Sequence, residues 1–144
     1  MQVSTKFTIA IHILSAVTYF NDSQKVTSEF LAGSVGTNPV IIRNIMSQLS
    51  KAGIIDIKRG PGGITITRPL EQITFLDIYR AVETNSDVEL FRFHGNTSQV
   101  CPIGGHIHQG MTDSLTQIQI DFENDLKKYT VAQVYDKTVA QIKK

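Results

Sequence analysis

Apolar residues dominate the stretch from Ser4 to Phe20, where they recur every three or four positions in two neighbouring stripes. This period is typical of an α-helix, and Ser4 is a suitable N-cap. A helix that is apolar over so much of its circumference must be covered on two sides. We expect one cover from the rest of the chain and consider a second subunit for the other.

Two shorter helices are predicted next, with a tight turn between them. Thr27 is placed to cap the first of these helices, and Gly36 is placed to end it. Asn38 and Pro39 open the second, since Asn is a good N-cap and Pro at the first helical position loses no hydrogen bond. Gly53 ends this helix. Two short helices joined in this way form a helix-turn-helix unit.

The hydrophobic period changes from helical to alternating after Gly53. Ile55 and Ile57 alternate with polar residues, as do Ile64 and Ile66 after a glycine-rich turn. Alternation on both sides of such a turn predicts a β-hairpin. The hairpin directly follows the helix-turn-helix unit, which is the position of the wing in a winged helix-turn-helix domain.

The rest of the chain combines short helices with one long helix. Thr74 and Asp77 form a candidate capping box for a helix that ends near Glu83, and Thr130 is a candidate cap for a last short helix. Between these helices, over residues 105–128, a narrow apolar stripe resembles that of a coiled coil. Its members are Ile107, Met111, Leu115, Ile118, Phe122, Leu126 and Tyr129.

The predicted fold class is mainly α with a small β-hairpin wing. A winged helix-turn-helix DNA-binding domain would occupy residues 1–83, followed by a polar linker over residues 84–104. A long dimerisation helix and a C-terminal tail would occupy residues 105–144.

The composition excludes several classes of protein. Of the 144 residues, 41% are hydrophobic and 19% are charged, and no apolar run approaches the ~20 residues of a membrane span. A single cysteine fits a reducing compartment, so we expect a cytoplasmic protein with no membrane partner.

The charge is unevenly distributed along the chain. Residues 1–80 hold eight Lys and Arg against five Asp and Glu, a net charge of +3, whereas residues 81–144 hold six against eight, a net charge of −2. The basic half favours a polyanionic partner.

The third predicted helix has an apolar inward face and a polar outward face. The inward face consists of Ile42, Ile45, Met46 and Leu49, and the outward face of Val40, Arg43, Asn44, Ser47 and Lys51. Arg can bond guanine bidentately, Asn can bond adenine in the same way, and Val can contact a thymine methyl group. On an isolated helix such a face is more often simply solvated. Here the preceding helix and the following hairpin favour insertion into a DNA major groove.

The predicted hairpin tip consists of Arg59, Gly60, Pro61 and Gly62. A glycine-rich turn is often only a turn. This one has few side chains, so it can approach phosphates closely while Arg59 enters a narrow minor groove. A phosphate-binding P-loop is a poor alternative, because no Gly-Lys-Ser/Thr follows and no helix begins there.

Three segments of the chain resemble the Rrf2 family of bacterial winged-helix regulators, whose members include IscR, NsrR and CymR. The segments are GTNPVIIRNIMSQLSKAGIIDIKRGPGG, ITFLDIYRAVE and CPIG. The TNPV and CPIG pieces are most similar to the YwnA-like branch, and the resemblance extends over nearly the whole chain. It implies a homodimer that binds an imperfect palindrome in double-stranded DNA and that, in most members, represses transcription.

The resemblance also implies roles for individual residues. Thr5 and Lys6 would contact phosphates, the exposed face of the third helix would enter the major groove, and the hairpin tip would enter the minor groove. The long helix of each subunit would pack on the other. The complete predicted DNA-contacting set is Thr5, Lys6, Thr27, Ser28, Asn38, Val40, Arg43, Asn44, Ser47, Arg59, Gly60, Pro61 and Gly62. The predicted dimer interface is Ile107, Met111, Leu115, Ile118, Phe122 and Leu126.

The sequence departs from the family pattern at two places. Arg43 stands where IscR-like members carry an acidic residue. Ile64 and Thr65 stand where the family's wing usually continues with a third glycine and an aromatic residue. These departures predict a different operator sequence and not a loss of DNA binding.

Cys101 lies in the linker, where several family members hold an iron–sulfur cluster through three cysteines. A cluster normally needs four protein ligands, mostly thiolates, so we predict no cofactor in a chain with one cysteine. A position before Pro102, near the start of the long helix, favours a reactive thiolate and hence a redox-responsive regulator. Any disulfide would join Cys101 to its copy in the dimer or to a small thiol. The alternative is a small buried packing residue, and the sequence leaves both interpretations open.

The remaining polar residues suggest neither a metal site nor catalysis. His106 and His108 are two positions apart, so on a helix they point to different faces and do not readily share a metal ion. Nor is there a Ser/His/Asp or paired-carboxylate arrangement, so we predict that the protein is not an enzyme. Two alternatives stay open, in which Cys101 is only structural. One is gating by a small ligand between linker and long helix, and the other is gating by a protein partner on the acidic half.

Overall fold

The computed structural model describes residues 3–58, 63–83 and 89–144, and within these ranges it contains six α-helices and one antiparallel hairpin. In chain order the elements are α1 (Thr5–Phe20), α2 (Ser28–Val35), α3 (Pro39–Lys51), β1 (Ile55–Lys58), β2 (Gly63–Ile66), α4 (Phe75–Val82), α5 (Ile107–Lys127) and α6 (Val131–Ile142). A 3-10 turn at Leu70–Gln72 separates β2 from α4. The predicted fold class is confirmed, because α2 and α3 form the helix-turn-helix unit and the hairpin forms the wing.

The ends of α2 and α3 coincide with the predicted caps. Thr27 Oγ1 accepts a hydrogen bond of 3.1 Å from the Phe30 amide, and Asn38 Oδ1 accepts one of 3.0 Å from the Ile41 amide. Gly36 has a φ angle of +87°, in the left-handed region that favours glycine, and it ends α2 there. These local bonds define the short turn that holds α3 next to α2.

The hydrophobic core is built around α1, which contacts α2, α3, α4, α6 and β2. The buried residues of α1 come from both predicted stripes and are Ala10, Ile11, Ile13, Leu14, Ala16 and Val17. Both stripes are therefore covered within one chain. No second subunit is needed to cover either stripe.

The C-terminal helix joins this core. Val131 is completely buried and Ala132 is nearly so. The Val131 amide donates a hydrogen bond of 2.9 Å to the Ile73 carbonyl oxygen, and the Phe75 amide donates one of 2.9 Å to the Tyr129 carbonyl oxygen. The segment that the sequence pattern indicated as a tail thus packs beside α1 and the start of α4.

The long helix α5 packs against α4 along one side. The Phe122 ring meets the Tyr79 ring edge-on, with the ring centroids 5.4 Å apart. Although α5 has 21 residues, all of them within the described ranges, none is buried. No helix in the described ranges is both long and apolar enough to cross a membrane.

The wing hairpin pairs Ile55 with Ile66 and Ile57 with Ile64. Ile55 and Ile64 are buried, whereas Ile57 is 42% exposed. The alternation correctly predicts the strand, but Ile57 does not share the environment of Ile55, because it lines an open groove beside α3. The predicted hairpin tip from Arg59 to Gly62 lies outside the described residues.

Candidate DNA-binding surface

The two faces of α3 are arranged as the sequence predicts. The buried residues are Ile42, Ile45, Met46 and Leu49. The exposed residues include Val40, Arg43, Asn44, Ser47 and Lys51. Val40 is 56% exposed. The orientation of α3 is therefore confirmed, while contact of its outer face with DNA stays a prediction.

A groove of about 460 Å³ lies between the exposed face of α3 and the hairpin. Its charged lining residues among those described are all cations, namely Lys25, Arg43, Lys51 and Lys58. A concave surface with charges of one sign concentrates an electrostatic field that attracts a polyanion. Lys25, Ser50 and Lys58 also line the groove and were not predicted from the sequence. The only sequence signal for the two lysines was the basic character of the first half of the chain.

Two of the predicted contact residues have structural tasks within the helix-turn-helix unit. The capping bonds described above occupy Thr27 Oγ1 and Asn38 Oδ1. Asn38 is exposed, so its amide nitrogen stays available as a donor to a phosphate. Thr27 also lines the groove. Thr27 therefore belongs to this surface and Asn38 lies exposed at the start of α3, but the first effect of both residues is to fix where α2 and α3 begin.

Arg43, Ser28 and Glu29 form a cluster across the helix-turn-helix unit. Arg43 Nη1 donates a hydrogen bond of 3.3 Å to Ser28 Oγ and lies 3.6 Å from Glu29 Oε1. Ser28 Oγ donates a hydrogen bond of 3.2 Å to Glu29 Oε2. The Arg43 and Glu29 side chains are 54% and 70% exposed, so this ion pair contributes little to folding. Ser28 and Arg43 are predicted from the sequence, but their link to Glu29 is visible only in the structure.

Thr5 and Lys6 occupy the first turn of α1. Thr5 is exposed and Lys6 is half-buried. The Lys6 amide donates a hydrogen bond of 3.1 Å to Ser4 Oγ. Because a helix N-terminus carries a partial positive charge, this turn favours an anion beside it. Contact of Thr5 and Lys6 with a phosphate stays a prediction.

The Cys101 thiol is exposed at a tight loop before α5. The Gly104 amide donates a hydrogen bond of 3.4 Å to Cys101 Sγ, and the Cys101 amide donates one of 3.3 Å to Ser98 Oγ. A Cβ atom at Gly104 would lie 2.7 Å from the Ser98 carbonyl oxygen, so only glycine fits there. α5 begins six residues after Cys101, at Ile107, and the amide at the sulfur therefore belongs to the loop. The interpretation of Cys101 as a buried packing residue is wrong for the single chain.

The histidines near this loop have separate partners. His106 Nδ1 lies 2.7 Å from the Pro102 carbonyl oxygen. The His108 ring stacks on Phe93, with the ring centroids 4.6 Å apart. Within the described ranges, no three His, Cys, Asp or Glu side chains are grouped so that they could hold a metal ion.

The helix-turn-helix unit, the wing and the cationic groove between them together define a winged helix-turn-helix DNA-binding regulator. Residues 3–137 match the Rrf2 family, which is described as "Iron-dependent Transcriptional regulator". The chain therefore belongs to the Rrf2 family of transcriptional regulators, as the sequence predicted, and it is not an enzyme.

Individual relatives agree with this assignment. The chain is 33% identical over 132 residues to the HTH-type transcriptional regulator YwnA of Bacillus subtilis (strain 168), covering 92% of this chain and 96% of YwnA. It is 32% identical to a crystal structure described as that of a DNA binding protein, with a TM-score of 0.72 and coverage of 90% of this chain and 97% of that one. The structure of CymR, the global cysteine regulator of B. subtilis, superposes with a TM-score of 0.66 over 94% of this chain and 97% of that one. At 15% identity, CymR shows a shared fold alone.

The family description names iron dependence, but the donor atoms of this chain do not fit an iron–sulfur cluster. An iron–sulfur cluster takes four protein ligands, mostly thiolates. Cys101 is the only cysteine in the sequence, so even two copies of the chain would supply two thiolates. No step of the mechanism is therefore assigned to iron.

Proposed function

We propose that the protein is a homodimeric repressor that binds an imperfect palindrome in double-stranded DNA. The exposed face of α3 enters the major groove, and the wing follows the adjacent backbone with its tip in the minor groove. The observation that carries this proposal is the groove between α3 and the hairpin, where the described charged residues are all cations. A protein that acts on bacterial DNA in this way works in the cytoplasm.

The chemistry of α3 supports sequence-specific reading of the DNA. Val40, Arg43 and Asn44 lie exposed in its first two turns, and the N-terminal part of a recognition helix is the part that faces base edges. Arg43 suits guanine, Asn44 suits adenine, and Val40 suits a thymine methyl group. The lysines of the groove suit phosphates, which supply affinity without sequence preference.

The exposure of α5 supports a homodimer. Ile118 is 45% exposed, although α5 is long enough to bury an apolar stripe. A second copy of the chain would cover Ile118 together with other residues of the predicted interface, apart from Phe122, which already packs on Tyr79 within the chain. A dimer with two-fold symmetry places its two recognition helices on repeated half-sites, which accounts for a palindromic operator. Repression follows when such a dimer occupies promoter DNA and excludes the polymerase.

The test is DNA binding by the purified protein alone. The promoter fragment of its own gene is titrated at physiological salt, with a shuffled fragment of equal length as the matched control, while light scattering reports the oligomeric state. We expect a dimer that prefers the promoter fragment by a factor of about 10³ or more. A monomer, or equal affinity for both fragments, would contradict the proposal. The second outcome would favour a module whose main partner is a protein.

A thiol response is a second function that one observation favours. Cys101 is exposed and its sulfur accepts an amide hydrogen bond, so the thiol is accessible to an oxidant. We expect a mild oxidant to release the protein from DNA and a reductant to restore binding. The variant Cys101→Ser should stay bound in oxidant; release of this variant would exclude the thiol as the sensor.

Gating by a small ligand is supported by a cavity between the linker and α5. This cavity has a volume of about 420 Å³ and is lined by Phe91, Phe93, Leu115 and Ile120, among others. Its size and its aromatic lining suit a small molecule. A ligand that acts here should change DNA affinity equally in the wild type and in Cys101→Ser. If the ligand no longer changed the DNA affinity of Cys101→Ser, the change in DNA affinity would depend on the thiol and not on the cavity.

A further inference from the structure

We infer that Glu29 is a positioning residue for base recognition, whose carboxylate holds the Arg43 guanidinium in the orientation that reads guanine. The inference rests on the proposed function, since it concerns how α3 discriminates between bases. Glu29 lies in the first turn of α2, outside the helix that carries Arg43. Its role would therefore be exerted through Arg43 and not through a base contact of its own.

The geometry of the cluster leaves one edge of the guanidinium engaged and the other available. Glu29 Oε1 and Ser28 Oγ both lie beside the same nitrogen, Arg43 Nη1, at 3.6 Å and 3.3 Å. Within the described ranges, neither Nε nor Nη2 of Arg43 has a hydrogen-bond partner. These two nitrogens form the side edge of the guanidinium, which can donate two parallel hydrogen bonds to the acceptors O6 and N7 of guanine.

Holding Nη1 matters because an arginine side chain has many rotamers. Bidentate recognition requires the plane of the guanidinium to match the plane of the base. A carboxylate that fixes one edge beforehand reduces the number of orientations that must be lost on binding. Ser28 reinforces this arrangement, since its hydroxyl accepts from Arg43 and donates to Glu29 Oε2 at 3.2 Å.

Glu29 also has an electrostatic cost at this surface. A negative charge beside the cationic groove repels phosphates, so it lowers affinity for every DNA sequence alike. A residue that weakens general binding while sharpening the choice of base raises specificity. This combination separates a positioning role from a purely structural one. As an ordinary acidic residue in the first turn of α2, Glu29 would only stabilise the helix.

The experiment measures base preference and general affinity separately in three variants. The base pair read by Arg43 is first located as the position whose preference is lost in Arg43→Ala, with the operator randomised one base pair at a time. At that position, Glu29→Gln should lower the preference for guanine by about threefold to tenfold and should raise affinity for a random duplex. Glu29→Asp keeps the charge and withdraws it by one methylene group, so it should lower the preference without raising random affinity.

Two further variants provide controls. Asp136→Asn removes the same charge from an exposed position of α6 outside the lining of the groove, where Asp136 forms no ion pair with a described residue, so it should leave the guanine preference unchanged. In the double variant with Arg43→Ala, the change Glu29→Gln should cost no additional preference. An equal loss with and without Arg43 would overturn the inference. So would an unchanged guanine preference in Glu29→Gln, or a uniform loss of affinity with a lowered melting temperature.

The inference can fail separately from the proposed function. If the wild type shows no preferred sequence, both are wrong. If the wild type binds a preferred operator and Arg43→Ala relaxes one base pair while Glu29→Gln does not, only the role of Glu29 is wrong.

Discussion

Arg80 Nη2 donates a hydrogen bond of 2.8 Å to Glu123 Oε1, and this ion pair joins α4 to the long helix α5. On its other side, α4 is tied to the recognition helix, because Gln48 Nε2 of α3 donates a hydrogen bond of 3.3 Å to the Val82 carbonyl oxygen. α4 therefore lies between the helix that would contact DNA and the helix that would contact a second subunit. Within the described residues, α4 thus contacts both α3 and α5.

The ion pair between Arg80 and Glu123 should make a small part of the free energy of unfolding depend on pH. The hydrogen bond from Arg80 holds the pKa of Glu123 below its ordinary value of 4.5, against the opposing effect of burial. A carboxyl group whose pKa is lower in the folded state stabilises the fold above its unfolded pKa, and this contribution is lost as the pH falls through the folded pKa. We expect Glu123→Gln to cost up to about 1 kcal/mol at pH 7, because Arg80 is largely exposed.

The measurement is urea denaturation of the wild type and of Glu123→Gln between pH 3 and pH 7. The difference in free energy of unfolding should be constant above about pH 5 and should shrink below about pH 4. A difference that stays the same down to pH 3 would show that the charge of Glu123 is not its cause.

Arg43 should determine the preference at a single base pair. We expect Arg43→Ala to relax the choice of guanine there by about 1–3 kcal/mol and to leave the other positions unchanged. Binding titrations with single-base-pair variants of the operator measure this change. A loss spread evenly over all positions would instead indicate that Arg43 contacts phosphate.

The lysines of the groove should act on all DNA sequences alike. We expect Lys51→Gln and Lys58→Gln each to weaken binding to the operator and to random DNA by similar factors, and to reduce the slope of log affinity against log salt by about 1. Lys137→Gln, an exposed residue of α6 away from the lining of the groove, is the matched control. If Lys137→Gln reduced the salt slope as much as the groove variants do, DNA binding would not be confined to the groove.

The start of α6 should contribute to global stability. Val131 is completely buried in the core, so Val131→Ala should lower the free energy of unfolding by about 1–3 kcal/mol. Ile142, at the end of the same helix, is 55% exposed, and Ile142→Ala should cost less than about 0.5 kcal/mol. Chemical denaturation of the two variants tests this. Equal small effects would mean that α6 is a dispensable tail.

Helix boundaries were predictable because they depend on neighbouring residues. Thr27, Asn38 and Thr130 each cap a helix through an amide three residues further along the chain. The period of apolar residues likewise gave the orientation of α3 without reference to the rest of the chain. Such bonds and periods involve only residues that are close together in the sequence. The family motifs could be recognised for the same reason, because each is a short continuous segment.

The environment of each element was not predictable in this way. The apolar stripe of α1 and the cap of α6 could be predicted from the sequence. The packing of Val131 against the core around α1 could not. The alternation in β1 could be predicted as well. That Ile57 lines the groove and is 42% exposed could not. Exposure of Cys101 was left open by the sequence for the same reason. Burial depends on which distant segment arrives as a neighbour, and local periodicity does not specify that segment.

By itself, the sequence determined the helix-turn-helix unit, the wing and the family to which the chain belongs. Only the tertiary structure decided that Lys25, Arg43, Lys51 and Lys58 line one groove, and that Glu29 reaches Arg43. The physical reason is range. Capping and amphipathic periodicity act over three or four residues, whereas a field or an ion pair at the surface depends on distances that folding sets between separate elements.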